Sequence, residues 1–415
     1  MIRAITLGIP LFNVSTHELA ETAFVFQNKA RKMAEDNGWP ARTARFSLPP
    51  LLKEHEAQVH MLPALLSSIS RIADQCGVRW FCLPVDLLDG EKVDGRLNVA
   101  LESITREKKM FLNLMVADKE QIGIEAAMEA AAFILNVSRK SNNGFDNFRV
   151  GASCNCPENT PFFPFSRHEG NFYRFSIALE TTELALNIAN RQSKTKKISL
   201  AEFRTSFIEE LKKNISNVDA FGKKLSLATG AEYVGLDASL APFPDGSTSV
   251  GCLLERIGAS PVGSYGTLFL TSMLTDAIKS AISASQARTT GFNGVMYSLL
   301  EDDYLSKANN QRKLSIESLY AYSTMCGCGL DMIPVPGSTF KEDIAAIILD
   351  VAALAVRLQK SLGVRLLPIP GKSVNEFTEF NVDFMCDSRV MRIDIGDSRF
   401  DFTAHSLKYL HQKLN

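Results

Sequence analysis

The chain has 415 residues, of which 46% are hydrophobic and 22% charged, and its formal net charge is -1. Its length allows one large domain or two ordinary ones, and its near-neutral charge argues against nucleic acid or an anionic membrane as the main partner. The longest apolar runs, such as residues 344–356, are too short to span a bilayer, and the first residues lack the features of a secretory signal. We therefore expect a cytoplasmic protein without a membrane or nucleic-acid partner.

The first half of the sequence alternates apolar strands with amphipathic helices. Thr16 offers an N-cap for the first helix, and Gly38 and Gly77 are natural C-caps. Because strand and helix alternate over the first third of the chain, residues 2–140, we expect parallel pairing with right-handed crossovers there. The predicted strands are residues 2–9, 41–48, 79–85, 110–117, 148–155 and 173–180, and the predicted helices are residues 17–38, 61–76, 97–107 and 121–140.

The second half repeats this rhythm without a linker, a low-complexity tract or a clear repeat. About nine or ten strand candidates in total favour one closed or nearly closed α/β barrel over residues 1–415, with a doubly wound sheet as the alternative. The predicted helices here are residues 200–229, 248–257, 267–284, 301–308 and 340–361, with a further amphipathic helix beginning at Leu314; the predicted strands are residues 231–237, 291–299, 364–371 and 382–395.

Two thiols, Cys326 and Cys328, lie on a glycine-broken loop after the helix that begins at Leu314. Glycine leaves little bulk around such a loop, which favours a nucleophilic, redox or radical-forming thiol that reaches the barrel interior. The alternative is two small apolar side chains at a tight turn. A zinc site that also uses Cys154 and Cys156 is less favoured, because zinc ligands are usually about two to four residues apart.

A glycine-rich turn precedes the helix that begins near residue 267. Gly263, Ser264, Gly266 and Thr267 could present N–H groups and hydroxyls to an anion at the N-terminus of this helix. The motif is neither a Walker A loop nor a dinucleotide fingerprint. A plain turn with an N-cap is the alternative.

Three acidic or basic positions are further candidates. Asp237 directly follows a predicted strand, at the rim where barrel sites are built, and Asp331 has a similar setting. His168, between an arginine and a glutamate, could act as an acid or a base near neutral pH. The alternatives are turn aspartates and a polar surface cluster. The acidic residues 301–303 could bind a cation but are more typical of a helix start.

Several segments together resemble the uncharacterised family usually labelled "PFL family protein" (domain of unknown function 711), most strongly over residues 232–371. The segments are IRAITLGIP, GLDASLAP, VGSYGT, SLLEDDYL, MCGCGLDMIPVPG and VRLLPIPGK. The matching positions are Cys326, Gly329, Leu330, Asp331, Met332, Asp237, Ser239, Leu240, Ala241, Pro242, Pro244, Gly263, Gly266, Thr267, Glu301 and Asp302.

The resemblance implies a ten-stranded α/β barrel similar to pyruvate formate-lyase and the anaerobic ribonucleotide reductases. The region around Gly396 lacks the signature of a glycyl radical enzyme, so we expect no glycyl radical. The expected function is an enzyme acting on a small anionic metabolite through Cys326, with Asp237 and His168 as further catalytic residues and residues 263–267 binding the anion. The alternative is an amino-acid- or metabolite-binding regulatory protein. The family resemblance also implies an ACT-domain partner, base rates suggest a homodimer, and neither a cofactor nor a metal is assigned.

Overall fold

Five parallel strands form the middle of a large mixed sheet in the computed structural model, which describes residues 2–11, 14–88, 94–193, 197–244, 247–394 and 406–408. In these residues the sheet has eleven strands: β1 (Ile2–Gly8), β2 (Ala41–Ser47), β3 (Trp80–Asp86), β4 (Met110–Ala117), β5 (Gln121–Gly123), β6 (Val150–Cys154), β7 (Arg174–Leu179), β8 (Glu232–Asp237), β9 (Gly329–Pro336), β10 (Leu362–Ile369) and β11 (Ser406–Lys408). The parallel block is β1, β2, β3, β4 and β6 in that order, and β5 pairs with β4 and β11.

The helices connect these strands and bury their apolar faces against the sheet or against one another. Most of the predicted helices are confirmed within a few residues, but α5 follows β7 where no helix was predicted. Ser15, rather than Thr16, caps the first helix, because its side chain accepts a hydrogen bond from the Glu18 amide. The helices are α1 (Thr16–Asp36), α2 (Leu62–Cys76), α3 (Asp94–Arg106), α4 (Ile124–Lys140), α5 (Thr182–Ser193), α6 (Leu200–Thr229), α7 (Val250–Ile257), α8 (Thr267–Ser285), α9 (Asp303–Asn310), α10 (Ile316–Ser323) and α11 (Lys341–Leu358), with 3-10 helices at Lys53–Met61, Asn142–Arg149 and Leu299–Glu301.

The parallel pairing predicted for the first third of the chain is confirmed for β1, β2, β3 and β4. Antiparallel pairs flank the parallel block on both sides and form two seams. β7 pairs antiparallel with β1 and parallel with β8. β10 pairs antiparallel with β6 and parallel with β9. The chain passes from β6 to β7 through a loop without a crossover helix, so β7 starts at the end of the sheet where β6 stops and runs back in the opposite direction.

The loop of residues 155–173 packs against one face of the sheet. Its backbone carbonyls accept hydrogen bonds from side chains of β2, β3 and β4, namely Arg45, Cys82 and Asn113. Phe165 packs against Gly151 and Gly363, where a β-carbon would collide with its ring. This phenylalanine-rich loop is therefore part of the core, and the sheet face that it covers is called the inner face below.

The sheet does not close on itself, and the closed ten-stranded barrel expected from the sequence is not seen. The strand order ends at β8 and β9. The predicted strand at residues 291–299 makes single bridges, of Leu240 with Val295 and of Ser298 with Asp331, but no ladder. Its start is bent, with positive φ at Gly291 and Asn293, because two of its amides bind a side chain instead of a strand, as described below.

Two other expectations concern membranes and the C-terminus. None of the described helices combines the length and apolar character that crossing a membrane requires. The predicted strand at residues 382–395 is absent from residues 382–394, which form turns and irregular backbone. Gly396 lies outside the described residues.

Candidate functional site

A cavity lined by arginines lies on the inner face of the sheet, near the N-terminal ends of the parallel strands. It offers about 90 Å³ to water-sized groups and is partly open to solvent. β2 contributes to it because Thr43 and Arg45 alternate to the same side of that strand. Its lining residues are Arg3, Arg42, Thr43, Arg45, Arg79, Trp80, Phe111, Phe148, Phe163, Phe243, Glu301, Arg365 and Phe384.

Three of the five arginines are held by carboxylates. Arg3 donates to Glu180 (3.0 Å) and to the Pro242 carbonyl (2.8 Å). Glu180 also faces Arg42, 3.3 Å away. On the opposite side, Arg365 forms a two-pronged ion pair with Asp331 at 2.6 and 2.9 Å. These pairs fix the cationic walls in place.

Arg45 and Arg79 have no ion pair within the described part of the chain. Arg45 donates from Nε to the Thr43 hydroxyl (3.1 Å) and from Nη1 to the Pro161 carbonyl (2.9 Å), which leaves Nη2 without a hydrogen bond to any described residue. Its guanidinium lies 5.1 Å from the centre of the Phe163 ring, and that of Arg79 lies 5.0 Å from Trp80.

The environment of Arg45 is strongly positive. Burial and the neighbouring charges of Arg3, Arg79 and Arg365 lower the pKa of Arg45 to about 9, against the opposing pull of Glu301. Such a group gains more from a bound anion than an exposed arginine does, because the surroundings are less polarisable than water.

Glu301 is the acidic group in the cavity lining. It accepts hydrogen bonds from Arg365 (3.2 Å) and from the Ser298 hydroxyl (2.6 Å). Burial alone would raise the pKa of Glu301, but Arg365, Ser298 and the more distant arginines outweigh burial and lower it. Glu301 is therefore ionised at neutral pH and repels anions from this end of the cavity.

The two predicted thiols are buried at the start of β9. Cys326 and Cys328 are each only 1% exposed, and neither lines the arginine-lined cavity. The Cys328 thiol donates to Cys326; this hydrogen bond, with help from Lys360, lowers the pKa of Cys326 to about 6 although burial opposes it. Burial raises the pKa of Cys328, whose sulfur accepts a hydrogen bond from the Tyr297 amide at 3.1 Å.

The other two thiols considered in the zinc hypothesis lie elsewhere. Cys154 ends β6 and Cys156 follows it, and burial raises the pKa of both. Across the described ranges, no group of three or more potential metal ligands comes together.

Asp237 organises the bent segment opposite β9. Its carboxylate accepts hydrogen bonds from the amides of Phe292 (2.7 Å) and Asn293 (3.2 Å), and from the amide and hydroxyl of Ser239 (2.9 and 2.5 Å). The side chain is fully buried, and burial raises its pKa. The segment then brings Gly294 so close to Gly327 that an added β-carbon would lie 2.9 Å from the Gly327 α-carbon.

The glycine-rich turn lies at the outer surface, where Tyr265 is fully exposed. Within it, the Gly263 amide donates to the Thr267 hydroxyl (3.1 Å), which donates to the Ser264 carbonyl (2.7 Å). Gly266 takes a φ of 97° at the start of α8. These groups are thus engaged within the turn.

His168 lies at the C-terminal ends of β1 and β2, on the inner face. The residue is completely buried, its ring packs against Gly8, and its Nδ1 is 3.3 Å from the Asn159 amide oxygen. Burial and Arg174 lower its pKa to about 4. The imidazole is therefore neutral at physiological pH.

The structure brings together only part of the predicted site. Tyr297 connects the thiols to α8, because its hydroxyl lies 2.5 Å from that of Thr271, and the segment held by Asp237 contacts Gly327. His168 belongs to a separate region. The arginine-lined cavity was not predicted; the available signal was the occurrence of Arg3, Arg45 and Arg365 within otherwise apolar predicted strands.

Comparison with known proteins shows that the sequence has many relatives. A sequence model of the family described as Uncharacterised ACR (DUF711) matches residues 1–383. A UPF0210 protein of Acetivibrio thermocellus is 28% identical over 425 residues, which cover 96% of this chain and 92% of the relative. For a UPF0210 protein of Methanopyrus kandleri the identity is 26% over 427 residues, with the same coverage. A UPF0210 protein of Pyrobaculum aerophilum is 30% identical over 275 residues, covering 64% of this chain and 58% of the relative.

Proposed function

The chain belongs to the uncharacterised DUF711 family, and we propose that it binds a small anionic metabolite in the arginine-lined cavity. The observation that carries this proposal is Arg45, a guanidinium on the inner face with one nitrogen directed at no described acceptor. A partly buried cation without a carboxylate partner is costly. A bound carboxylate or phosphate offsets this cost through charge-assisted hydrogen bonds.

The aromatic side chains support the same function. Phe163 and Trp80 lie against the guanidiniums of Arg45 and Arg79, and such stacking holds the planar groups in fixed orientations while leaving their edges available. A concave site with a few fixed polar groups and apolar walls is the usual form of a small-molecule site. This binding function needs no thiol chemistry.

The proposal predicts that anions stabilise the folded protein. Inorganic phosphate or malonate should raise the unfolding temperature. At a ligand concentration of one hundred times Kd, the gain in unfolding free energy is about 2.7 kcal/mol. Arg45→Gln should remove the effect, whereas Arg71→Gln, on the exposed face of α2, should leave it unchanged. Differential scanning calorimetry measures both variants; equal stabilisation of wild type and Arg45→Gln would rule out this cavity as the binding site.

A second candidate function is catalysis by the Cys326 thiolate on a small anionic substrate, without a glycyl radical. The observation that favours it is the thiol pair, in which Cys328 and Lys360 together lower the pKa of Cys326 to about 6. A thiolate is the nucleophilic form of cysteine. Asp237, His168 and the 263–267 turn stay candidate site residues of this second function.

The pH dependence of alkylation tests this candidate. With iodoacetamide, labelling of Cys326 followed by peptide mass spectrometry should reach half its maximal rate near pH 6, and Cys328→Ala should move this midpoint upward. The midpoint, rather than the rate, is the informative quantity because the thiol is buried. A midpoint near that of an ordinary thiol, about pH 8.5, would contradict a stabilised thiolate.

Four further predictions belong to this proposal. The bridges that residues 289–298 make towards both β8 and β9 support a barrel-like arrangement akin to pyruvate formate-lyase, although the hydrogen-bonded sheet is open. Cytoplasmic location, a homodimer and an ACT-domain partner stay predictions. Native mass spectrometry of the purified protein, alone and with a co-expressed ACT-domain protein, tests the two assemblies.

A further inference from the structure

We infer that the cavity selects a small dianion, such as phosphate or a short dicarboxylate, over a monoanion. This inference rests on the proposed function, because it specifies the ligand class of the same arginine-lined cavity. It is carried by two features of the lining: two arginines without ion pairs, and the small space beside Arg45. The position of Glu301 supplies a test.

The first feature is the pairing of the arginines. Arg3 and Arg365 each have a carboxylate within hydrogen-bonding distance. Among the described residues, Arg45 and Arg79 have no such partner. A ligand with two negative charges can neutralise both guanidiniums, whereas a monoanion leaves one of them uncompensated.

The arrangement of these two arginines suits such a ligand. Arg45 is half-buried inside the cavity, and Arg79 is exposed at its edge. They come from adjacent strands, since Arg45 pairs with Trp80, the residue after Arg79. The site therefore offers one inner and one outer cation, which can contact opposite ends or different oxygens of one ligand.

The second feature is the volume. A space of about 90 Å³ holds several water molecules, since about 10–15 Å³ is enough for the first of them. Inorganic phosphate and malonate are of this size, whereas a nucleotide is much larger. The ligand group that reaches Arg45 must therefore be compact, and the nearness of Arg79 favours a second charge close to it.

Glu301 opposes anion binding and thereby provides a test of the inference. It is the carboxylate of the lining and is held by Arg365 and Ser298. Because it repels anions in proportion to their charge, it limits the affinity of the site for a dianion more than for a monoanion. Replacing Glu301 by glutamine keeps its size and removes this repulsion, and Arg365 keeps Asp331 as its partner.

Isothermal titration of the full chain at pH 8 and constant ionic strength tests the inference, with malonate, inorganic phosphate and acetate as probes. We expect malonate and phosphate to bind at least tenfold more tightly than acetate. Glu301→Gln should increase this ratio about threefold or more. Arg45→Gln and Arg79→Gln should each bring the ratio close to one, and Arg71→Gln should leave it unchanged.

The possible outcomes separate the inference from the proposed function. Equal affinities for malonate and acetate, both weakened by Arg45→Gln, would overturn dianion selection and leave anion binding in the cavity intact. Absence of binding by all three probes would overturn both. If the arginine variants do not fold, the ratio of malonate affinity to acetate affinity in Glu301→Gln decides. A ratio that is unchanged from the wild type, or smaller, contradicts the inference.

Discussion

At the scale of single residues, His168 is expected to make the stability of the protein depend on pH. Its ring is completely buried, and burial together with Arg174 lowers its pKa from 6.5 to about 4. In the unfolded chain the imidazole takes up a proton below pH 6.5, whereas in the folded protein it stays neutral until about pH 4. The contribution of the neutral, buried imidazole to the unfolding free energy is therefore fully present above pH 6.5. It is lost as the pH falls towards 4, and the loss is up to about 3 kcal/mol.

Urea unfolding at pH 7.5, 5.5 and 4.5 measures this effect. His168→Gln should flatten the decline of unfolding free energy over that interval, although it lowers stability at pH 7.5. His17→Gln serves as the matched control, because His17 is an exposed residue of α1. A decline of the same steepness in His168→Gln and in the wild type would show that other groups cause it.

Some residues of the candidate site could be recognised from the sequence, and others could not. Cys326 and Asp237 were recognisable because each lies beside glycines at the end of an apolar run. The arginine-lined cavity was not, because Arg3, Arg45 and Arg365 come from three strands that are far apart in sequence. Only the order of strands in the sheet, which no local pattern encodes, brings their side chains together.

At the scale of secondary-structure elements, Asp302 joins two helices, because it is the N-cap of α9 and also accepts hydrogen bonds from the first amides of α7. One carboxylate oxygen accepts hydrogen bonds from the amides of Tyr304 and Leu305 in α9 (both 3.0 Å), and the other from Val250 and Gly251 in α7 (2.7 and 3.1 Å). Asp302→Ala should lower the unfolding free energy by about 2–4 kcal/mol, because it removes the N-cap of α9 and leaves buried amides of both helices without acceptors.

Chemical denaturation of a small series of variants tests this bridging role of Asp302. Asp302→Asn keeps one acceptor oxygen and should fall between Asp302→Ala and the wild type. Ser315 is the N-cap of α10, and its side chain accepts one amide hydrogen bond at the surface. Ser315→Ala should therefore lower the unfolding free energy by about 1 kcal/mol. Equal losses in Asp302→Ala and Ser315→Ala would contradict the bridging role.

The same carboxylate chemistry explains a strand prediction that failed. Residues 291–299 have the apolar pattern of a strand, and their register puts Val295 beside Leu240. However, the amides of Phe292 and Asn293 donate to Asp237, and Gly291 and Asn293 take positive φ. Hydrophobic periodicity detects burial, but not a side chain that replaces a neighbouring strand as acceptor.

At the scale of the whole molecule, the two antiparallel seams were beyond the reach of the sequence. Alternation of strand and helix correctly predicts parallel neighbours in the block of β1, β2, β3, β4 and β6. Each crossover helix returns the chain to the end of the sheet where the previous strand began. The loop of residues 155–173 interrupts this rhythm, and its prolines and phenylalanines do not reveal that it crosses the inner face. The direction of every later strand depends on that one connection.

The seams also predict that the chain unfolds as one unit. β7 covers the edge of β1, β10 covers the edge of β6, and a single cluster of buried side chains includes residues of all these strands. A fragment of residues 1–155 would expose both edges and lose the loop that packs on the inner face, so its apolar surface would stay uncovered. We expect one calorimetric transition for the full chain, with a van't Hoff enthalpy close to the calorimetric enthalpy, and no cooperative transition for the fragment. Two resolved transitions, or a fragment that unfolds cooperatively by itself, would show that the parallel block is an independent domain.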